Sequence, residues 1–203
     1  MAGTAKPKVV LLNSGGSNYT SLQEAFERLG ASCQQSVDPE CIRAASHVVL
    51  PGVGSAGAAM SAITEHKLGA LIASLQQPLL GICLGMQVLF DYSEESNNDC
   101  LGLIPGKIRR LPSSQGIRVP HMGWNSIRQV TMHPLLEGLD GADFYFVHSY
   151  AAEPGADSIA LCDHGAAFSA AVCNGNRLGV QFHPERSGPQ GQKLLGNFLA
   201  LKS

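Results

Sequence analysis

The sequence lacks the features that mark membrane-bound, secreted and nucleic-acid-binding proteins. No apolar run approaches the ~18 residues that a membrane-spanning helix needs, and the first eight residues do not contain the apolar core of a signal peptide. Charged residues make up only 15% of the chain, and the formal net charge of −2 gives no electrostatic reason to bind nucleic acid. These absences predict a cytoplasmic protein that has neither a membrane nor a nucleic acid as its partner.

The cysteines lack any pairing or metal-binding pattern. No C-x-x-C pair and no His/Cys spacing typical of a metal site occurs among Cys33, Cys41, Cys83, Cys100, Cys162 and Cys173. We therefore expect no metal and no cofactor. A chain of this length buries roughly 70% of its unfolded surface and needs no disulfides, so all of these cysteines except Cys83 are interpreted as buried thiols in a reducing compartment.

No linker, repeat or low-complexity stretch divides the chain. Its 203 residues predict a single domain over residues 1–203, with residues 1–7 as a flexible tail. Helices are expected at 21–29, 56–75 and 189–201, and directly after residue 83. Strands are expected at 9–12, 47–50, 78–82, 107–108, 117–119, 144–147, 158–161, 167–173 and 178–182. The alternation in the first half predicts an α/β fold with a mostly parallel sheet and helices on both faces, to which the C-terminal half adds antiparallel strands.

One short motif carries most of the chemical information. Gly81-Ile82-Cys83-Leu84-Gly85 stands between a buried strand and a helix, which is typical of a nucleophile elbow whose glycines avoid clashes in a sharp turn. The turn exposes the nucleophile and places backbone N–H groups at a helix N-terminus, where they stabilise a thiolate and a developing oxyanion. A serine here would indicate an esterase, whereas a cysteine predicts acyl transfer through a thioester.

A second motif supplies the base that a cysteine nucleophile needs. His183 and Glu185 stand two residues apart after the last expected strand, and residues at i and i+2 of an extended segment project to the same side. Glu185 can therefore orient the ring of His183 while His183 takes the proton of Cys83. Because the carboxyl ends of parallel strands share one edge of the sheet, Cys83 and His183 are expected to meet. No such acidic partner accompanies His47, His66, His121, His133, His148 or His164.

A glycine-rich turn, Pro51-Gly52-Val53-Gly54, follows the second expected strand. It is explained equally well as an ordinary strand-to-helix connection or as the second wall of an oxyanion hole. In the second case an N–H group of Gly52 or Val53 joins that of Leu84, and one such donor is typically worth roughly 2.7–4 kcal/mol in the transition state.

Together the three motifs resemble the class I (triad) glutamine amidotransferases. Within that class, three further runs are similar to the glutaminase subunits of imidazole glycerol phosphate synthases: Pro120-His121-Met122-Gly123-Trp124-Asn125, Tyr145-Phe146-Val147-His148-Ser149-Tyr150 and Pro184-Glu185-Arg186-Ser187-Gly188. The resemblance implies a flavodoxin-like or Rossmann-like sheet and hydrolysis of L-glutamine to glutamate and ammonia. It also implies a heterodimer with a (β/α)8-barrel cyclase, which uses the ammonia to make imidazole glycerol phosphate and aminoimidazole carboxamide ribotide in histidine biosynthesis.

The resemblance also assigns residues beyond the motif centres. Those that would bind glutamine are Gly54, Gln87, Glu95, Ser149 and Tyr150. Those that would face the cyclase are Asn18, Trp124 and Arg186. Without the resemblance, Glu95 is equally typical of a solvated charge, and Trp124 is more typical of a core or sheet position than of an interface.

Chain length points to a partner independently of the resemblance. About two hundred residues suffice for a glutaminase domain and leave no room for an acceptor domain, and free ammonia would diffuse away. The alternatives are a glutaminase subunit for a pyridoxal phosphate or anthranilate synthase, a cysteine hydrolase or peptidase with the same elbow, and a non-catalytic regulatory subunit. The His-Met-Gly-Trp-Asn and Phe-Val-His-Ser-Tyr runs favour the histidine pathway, and the intact Cys83, His183 and Glu185 disfavour the regulatory subunit.

Overall fold

A central eight-stranded sheet organises the fold. The computed structural model describes residues 6–13, 19–113 and 115–202. The strands are β1 (Lys8–Leu12), β2 (Ser32–Ser36), β3 (His47–Gly52), β4 (Leu79–Cys83), β5 (Tyr92–Ser93), β6 (Asn98–Asp99), β7 (Lys107–Arg110), β8 (His121–Ser126), β9 (Arg128–Gln129), β10 (Asp143–His148), β11 (Tyr150–Ala152), β12 (Ser158–Asp163), β13 (Ala167–Asn174) and β14 (Arg177–Val180). The α-helices are α1 (Tyr19–Arg28), α2 (Pro39–Arg43), α3 (Ala56–Glu65), α4 (Leu68–Ser74), α5 (Leu84–Gln87) and α6 (Gly188–Ala200), and single 3-10 turns lie at Pro134–Leu136 and Pro184–Arg186.

The central sheet has a parallel part and an antiparallel part. Its strand order is β2-β1-β3-β4-β14-β13-β12-β9. The pairs from β2 to β14 are parallel and the remaining pairs are antiparallel. The parallel part has the 2-1-3-4-5 order of flavodoxin-like folds, so the predicted α/β fold with a mostly parallel sheet and added antiparallel strands is confirmed. Because Gly52 pairs with Cys83 and Val180 with Ile82, the glycine turn, the elbow and the His183 segment leave the sheet at one edge.

Alternate side chains of β1 divide the interior into two layers. Val9 and Leu11 pack in the layer that contains α1 and α6, whereas Val10 and Leu12 pack in the layer that contains α2, α3 and α4. Helices therefore cover both faces of the parallel strands, as the continuous apolar runs of those strands predict. A sheet buried on both sides gives the strand ends, and the residues that follow them, a fixed position.

Two smaller sheets stand beside this edge. Strands β8 and β10 form an antiparallel pair, called the ribbon below, in which His121 pairs with His148 and Trp124 with Tyr145. The other sheet has the order β11-β7-β5-β6. The two faces of the ribbon differ sharply, because His121 and His148 are buried whereas Trp124 is 58% exposed. The ribbon thus joins a buried face to a solvent face near the end of β4.

Two of the predicted elements are wrong. The helix expected over 56–75 is two helices, because Lys67 adopts a left-handed conformation with φ 55° between α3 and α4. The strand expected over 117–119 is reduced to a single bridge at Ile117. The elbow helix α5 is also only one turn long.

Several elements escape prediction because their sequences carry no strong pattern. Strand β2 has the sequence Ser-Cys-Gln-Gln-Ser and lies at the edge of the sheet, where most of its side chains face solvent. Strand β8 contains a glycine and polar residues, since only part of it faces the interior. Such strands form through tertiary pairing rather than through local preference.

The fold does not test the domain prediction, and it bears on the membrane prediction only through the helices that the structure describes. The single domain over residues 1–203 stays a prediction, and most of the expected tail at 1–7 lies outside the described residues. Within them, the carbonyl of Pro7 already accepts a hydrogen bond from the N–H of Ser32 at 2.8 Å. In the part of the chain that the structure describes, none of the helices combines the length and apolarity that crossing a membrane requires.

Candidate active site

A cavity of about 500 Å³ opens where β3, β4 and β14 end. Most of the predicted site residues line it: Val53, Gly54, Cys83, Leu84, Gln87, Glu95, Ser149, Tyr150, His183 and Arg186. Gly52 and Glu185 do not line the cavity, and Trp124 lies outside it on the solvent face of the ribbon. Asn18 lies outside the described residues.

Cys83 occupies a strained turn between β4 and α5. Its backbone has φ 53° and ψ −111°, a conformation that side-chain-bearing residues rarely adopt and that is typical of functional turns. The flanking glycines are required by close packing, because a Cβ at Gly81 would lie 2.7 Å from the carbonyl oxygen of Gly85 and a Cβ at Gly85 would overlap the carbonyl oxygen of Leu50. The elbow geometry predicted for Gly81 to Gly85 is therefore present.

The glycine turn after β3 packs directly against this elbow. A Cβ at Gly52 would lie 2.8 Å from the backbone nitrogen of Gly85 and 2.9 Å from Cβ of Leu84, so only glycine allows this approach. Gly54 has φ +100° and open space around it, a conformation that glycine adopts at little cost. The first N–H groups of a helix have no partner within the helix, and Leu84, the first residue of α5, lines the cavity beside Val53. The arrangement can offer backbone donors from two sides to one oxygen atom.

His183 and Glu185 form a buried pair beside Cys83. Nδ1 of His183 lies 2.9 Å from Oε1 of Glu185, and the two side chains are almost completely buried. Because a carboxylate accepts, Nδ1 carries the proton and Nε2 is the atom left for Cys83. Burial alone would lower the pKa of His183, but hydrogen bonds to the side chains of Cys83 and Glu185, together with their negative charges, raise that pKa to about 10. The arrangement therefore favours the protonated ring of His183 between Cys83 and Glu185.

Ser187 holds the backbone of His183 in place. Its hydroxyl donates to the carbonyl of His183 at 2.7 Å and accepts from the N–H of Tyr145 at 3.0 Å. The N–H of His183 donates to the carbonyl of Tyr145 at 2.9 Å. These contacts tie His183 to β10. No sequence signal marks Ser187, because a serine after a His-Pro-Glu run is compatible with an ordinary helix start.

Two buried amides connect Cys83 to the backbone of Tyr150. The amide of Gln181 donates to Sγ of Cys83 at 3.6 Å, and its Oε1 accepts from Nε2 of Gln87 at 2.9 Å. Nε2 of Gln87 also donates to the carbonyl of Tyr150 at 2.8 Å. Both hydrogens of that amide are thus engaged, so Gln87 can offer the cavity only its Oε1, which is an acceptor. An acceptor here suits the α-ammonium group of an amino acid, and Gln181 is a contact of Cys83 that sequence reasoning did not assign.

Glu95 and Glu94 are neighbours in sequence with different surroundings. Glu94 binds Arg109 at 2.6 Å. The backbone N–H of Arg110, which contributes most, and the side chain of Arg109 lower the pKa of the Glu94 carboxyl. Glu95 instead turns to the start of α3, where its Oε2 accepts from the N–H of Ala56 at 2.7 Å, and it lines the cavity. Glu95 therefore places a carboxylate at the wall of the cavity, and its role in binding glutamine stays a prediction.

The remaining cysteines differ from Cys83 in their surroundings. All are free thiols, and the prediction that they are buried is wrong for Cys41, Cys100 and Cys173, which are half-buried. Burial raises the pKa of Cys33 and of Cys162 to about 12. At neutral pH these two are unreactive thiols.

A comparison of the sequence with known protein families identifies the family to which the chain belongs. The family model for glutamine amidotransferase class-I matches residues 10–201. The chain belongs to the class-I glutamine amidotransferases. It is an enzyme of that class.

Curated relatives refine the comparison within this amidotransferase family. "Imidazole glycerol phosphate synthase subunit HisH" of Xanthomonas euvesicatoria is 49% identical over 194 residues, covering 95% of this chain and 97% of the relative. The protein of the same name from Xylella fastidiosa (strain Temecula1) is 48% identical over 195 residues, covering 96% and 98%.

Solved structures support the fold of this amidotransferase. The structure of PurLQS from Thermotoga maritima has a TM-score of 0.74 at 21% identity, covering 96% of this chain and 98% of that chain. A crystal structure titled glutamine amidotransferase has the same TM-score at 17% identity, with 95% and 99% covered.

Proposed function

We propose that the chain is the glutaminase subunit of an imidazole glycerol phosphate synthase. It hydrolyses L-glutamine to glutamate and ammonia, and the ammonia passes to a (β/α)8-barrel cyclase subunit in histidine biosynthesis. The observation that carries the proposal is the buried His183–Glu185 pair hydrogen-bonded to an elbow cysteine. The similarity to relatives of that name over nearly the whole chain supports the choice of pathway.

The first half of the reaction forms a thioester. The thiolate of Cys83 attacks the side-chain amide carbon of glutamine, and the C=O electrons move to the oxygen. The N–H groups of Leu84 and of Gly52 or Val53 stabilise this oxyanion. When the intermediate collapses, the C–N bond breaks and His183 gives its proton from Nε2 to the leaving nitrogen, so that ammonia departs and a glutamyl thioester stays on Cys83.

The second half returns the enzyme to its starting state. His183, now neutral, takes a proton from a water molecule, whose oxygen attacks the thioester carbon. The same backbone donors hold the second oxyanion, and the C–S bond then breaks to release glutamate and the Cys83 thiolate. Glu185 stays ionised and keeps Nδ1 of His183 protonated throughout, so that Nε2 is always the atom that exchanges protons.

Substrate recognition rests on groups that distinguish an α-amino acid. Oε1 of Gln87 and the second oxygen of Glu95 accept from the α-ammonium group, and the backbone of Ser149 and Tyr150 holds the carboxylate end. Gly54 leaves space for the substrate beside the oxyanion loop. The placement of these groups around one cavity supports the assignment.

The proposed docking face for the cyclase adjoins the cavity. Met122 and Trp124 project from the ribbon with 64% and 58% of their surface exposed, and a large exposed apolar pair is unusual on a surface without a partner. Cζ of Arg186 lies 4.7 Å from the centre of the Tyr145 ring, and Arg186 also lines the cavity. Arg186 thus stands between the catalytic cavity and the face that carries Trp124.

The test is a glutaminase assay in three states: the isolated chain, the chain with a barrel cyclase, and the complex loaded with the cyclase's nucleotide substrate. We expect a low rate in the first state and a rise of roughly 10²–10³ in the last, the size of one oxyanion donor supplied by the glycine turn. Equal rates in all three states would contradict the role as a synthase subunit. Activation by a pyridoxal phosphate or anthranilate synthase instead would reassign the pathway and keep the chemistry.

A further inference from the structure

A series of hydrogen bonds runs from the ribbon to the cavity. Nδ1 of His148 lies 2.9 Å from the carbonyl oxygen of Tyr150, and Nε2 of His148 lies 3.1 Å from Nδ1 of His121. Nε2 of His121 in turn lies 3.3 Å from Nδ2 of Asn125. Neither histidine belongs to the triad, yet His148 lines the same cavity as Cys83.

The chemistry of the partners fixes the direction of every bond in this series. A carbonyl oxygen only accepts, so Nδ1 of His148 carries a hydrogen. Burial lowers the pKa of His148 to about 3 and that of His121 to about 4, so both rings are neutral and each has one N–H. Nε2 of His148 therefore accepts from Nδ1–H of His121, whose Nε2 accepts from the amide of Asn125.

The amide of Asn125 is itself oriented by its other contacts. Its Nδ2 donates to the carbonyl of Asp163 at 2.9 Å, and its Oδ1 accepts from the N–H of Ser126 at 2.9 Å. The NH₂ group must then face His121, which is consistent with the tautomers above. Each group in this series therefore donates to the next, from Asn125 to His121 to His148, and the carbonyl oxygen of Tyr150 is the last acceptor.

The carbonyl of Tyr150 is where this series meets the amides of the active site. It accepts from His148 and from Nε2 of Gln87. Tyr150 and its neighbour Ser149 line the cavity. The carbonyl of Tyr150 therefore helps to fix the position of Oε1 of Gln87 and of the backbone at Ser149 and Tyr150. A change in the His148 bond reaches both proposed substrate contacts.

The rings of His121 and His148 lie in apolar surroundings, where a polar atom without a hydrogen bond is energetically unfavourable. The ring of His121 stacks on Phe146 at 4.9 Å between centroids, and that of His148 lies 5.0 Å from Phe168. Polar groups in such an apolar layer are unfavourable unless every one is hydrogen-bonded. Aromatic hydrocarbon side chains would fill the same volume without that requirement.

We propose that His121 is a positioning residue for glutamine binding, acting through His148 on the carbonyl of Tyr150 and thereby on Gln87. The proposal rests on the glutaminase function proposed above. His121 contacts no reacting atom, so its loss weakens the affinity for glutamine and leaves the reactivity of Cys83 unchanged.

The experiment separates binding from reactivity at Cys83 with two alkylating reagents. Diazo-oxo-norleucine, an electrophilic glutamine analogue, reports both a half-saturating concentration and a limiting inactivation rate. Iodoacetamide lacks the amino-acid end and reports reactivity alone. In His121→Phe we expect the half-saturating concentration to rise roughly tenfold, the size expected when a buried acceptor loses its donor. The limiting rate and the iodoacetamide rate stay at the wild-type values.

Two further variants control for packing. His121→Asn can place an amide N–H near the position of Nδ1, and we expect it to restore most of the affinity. His164→Phe makes the same substitution in the ring that stacks on His121 at 4.1 Å but that bonds to the carbonyl of Arg118, outside the series, and it should bind like the wild type. If His121→Phe does not fold, His121→Gln, whose amide reaches only the Nε2 position, replaces it.

The outcomes distinguish the two proposals. Wild-type affinity in the Phe or Gln variant, an equal loss in His164→Phe, or a matching loss with iodoacetamide overturns the positioning role and leaves the glutaminase proposal standing. If diazo-oxo-norleucine fails to inactivate the wild-type chain saturably at Cys83, both proposals are overturned.

Discussion

The two walls of the cavity are built differently. The elbow wall carries Cys83, at the end of β4, and His183, which follows β14. Helices bury both faces of these strands. The ribbon wall carries His148, Ser149 and Tyr150 at the end of β10, in a pair of strands with one buried and one exposed face. The proposed catalytic residues Cys83 and His183 thus stand on a part of the fold that is buried on both faces, whereas the proposed substrate contacts at Ser149 and Tyr150 stand next to strands with one exposed face.

The difference predicts a separation of effects. We expect changes on the elbow wall to alter the rate of the chemical step, because the proposed catalytic residues and oxyanion donors lie there. Changes on the ribbon wall alter affinity, pH response or docking, because its polar contacts end on Tyr150 and its outer face is exposed. The largest effects are expected at the nucleophile, and the smallest on the outer face of the ribbon.

Cys83→Ala is expected to abolish glutaminase activity while the fold is retained. The side chain forms the thioester, whereas the glycines set the backbone of the elbow. Glutamate release in the activated complex measures the loss, and circular dichroism checks the fold. A residual rate above a few per cent of wild type, or modification of Cys33 or Cys162 ahead of Cys83 by a limiting dose of diazo-oxo-norleucine, would remove Cys83 from the role of nucleophile.

Replacing the base should cost more than replacing the group that orients it. His183→Ala is expected to lower kcat by roughly 10²–10⁴, the contribution of a positioned acid–base group. Glu185→Gln should cost less, because the ring stays present. The ratio of the two kcat values at neutral pH is the measurement, and a larger loss in Glu185→Gln would mean that the assigned roles are reversed.

The ribbon wall should make the protein sensitive to mild acid. His121 and His148 are kept neutral by burial, with pKa values lowered to about 4 and about 3. The unfolded chain binds these protons near pH 6.5, so stability falls as the pH drops below about 6.5, by up to about 1.4 kcal/mol per pH unit for each ring. His183 acts oppositely, because its pKa is raised: its contribution is complete below about pH 6.5 and is lost progressively as the pH rises through about 10.

Urea unfolding at a series of pH values from neutral to mildly acidic measures this loss. His148→Asn keeps an amide N–H near the position of Nδ1 and does not titrate. It should therefore reduce the slope of the unfolding free energy against pH by the contribution of one ring. The exposed His66→Asn serves as the matched control and should leave the slope unchanged. The neighbouring rings His164 and His183 are retained in both variants. A slope that is equal in His148→Asn and wild type would assign the acid loss to other groups.

Ser187→Ala tests how firmly the elbow wall holds its base. The substitution removes the hydroxyl between the carbonyl of His183 and the N–H of Tyr145, and we expect about tenfold lower kcat, with unfolding easier by roughly 1–3 kcal/mol. Ser61→Ala removes a comparable hydroxyl on the exposed side of α3 and is the control. An unchanged kcat in Ser187→Ala would show that β14 alone positions His183.

Trp124→Ala is expected to have the smallest effect on the isolated chain. The side chain is exposed and contacts Tyr145 edge-on at 6.2 Å, so the melting temperature and the alkylation of Cys83 should stay close to wild type. Binding to the cyclase should weaken by at least about 1 kcal/mol, as for a buried interface tryptophan. Titration calorimetry measures the affinity, and wild-type affinity would place the docking face elsewhere.

The two walls also differ in how far they could be predicted. The elbow wall follows from local rules: glycines at fixed offsets from Cys83, and His183 and Glu185 two residues apart after a strand. The histidines of the ribbon have no acidic neighbour in sequence, so no local rule marks them. Their partners are each other and a carbonyl across a strand pair, and such contacts depend on the register of β8 with β10, which no local pattern encodes.

The same reason explains the smaller omissions. Gln181 and Ser187 act through buried contacts to Cys83, Gln87 and the backbone of Tyr145, and only the folded chain brings these together. The break at Lys67 escapes prediction because the apolar spacing of α3 continues into α4, while a left-handed residue leaves no mark on that spacing. Local sequence patterns therefore predict the parallel sheet and the meeting of Cys83, His183 and Glu185, but they do not predict contacts that depend on the pairing between strands.

The separation of the two walls is tested most directly by saturation curves for diazo-oxo-norleucine with Glu185→Gln and His121→Phe side by side. For Glu185→Gln, a change behind the elbow wall that acts through His183, we predict a lower limiting rate of inactivation at an unchanged half-saturating concentration. For His121→Phe, on the ribbon wall, we predict a higher half-saturating concentration at an unchanged limiting rate. Curves in which both variants change the same parameter would contradict the division of the cavity into a wall that reacts and a wall that binds.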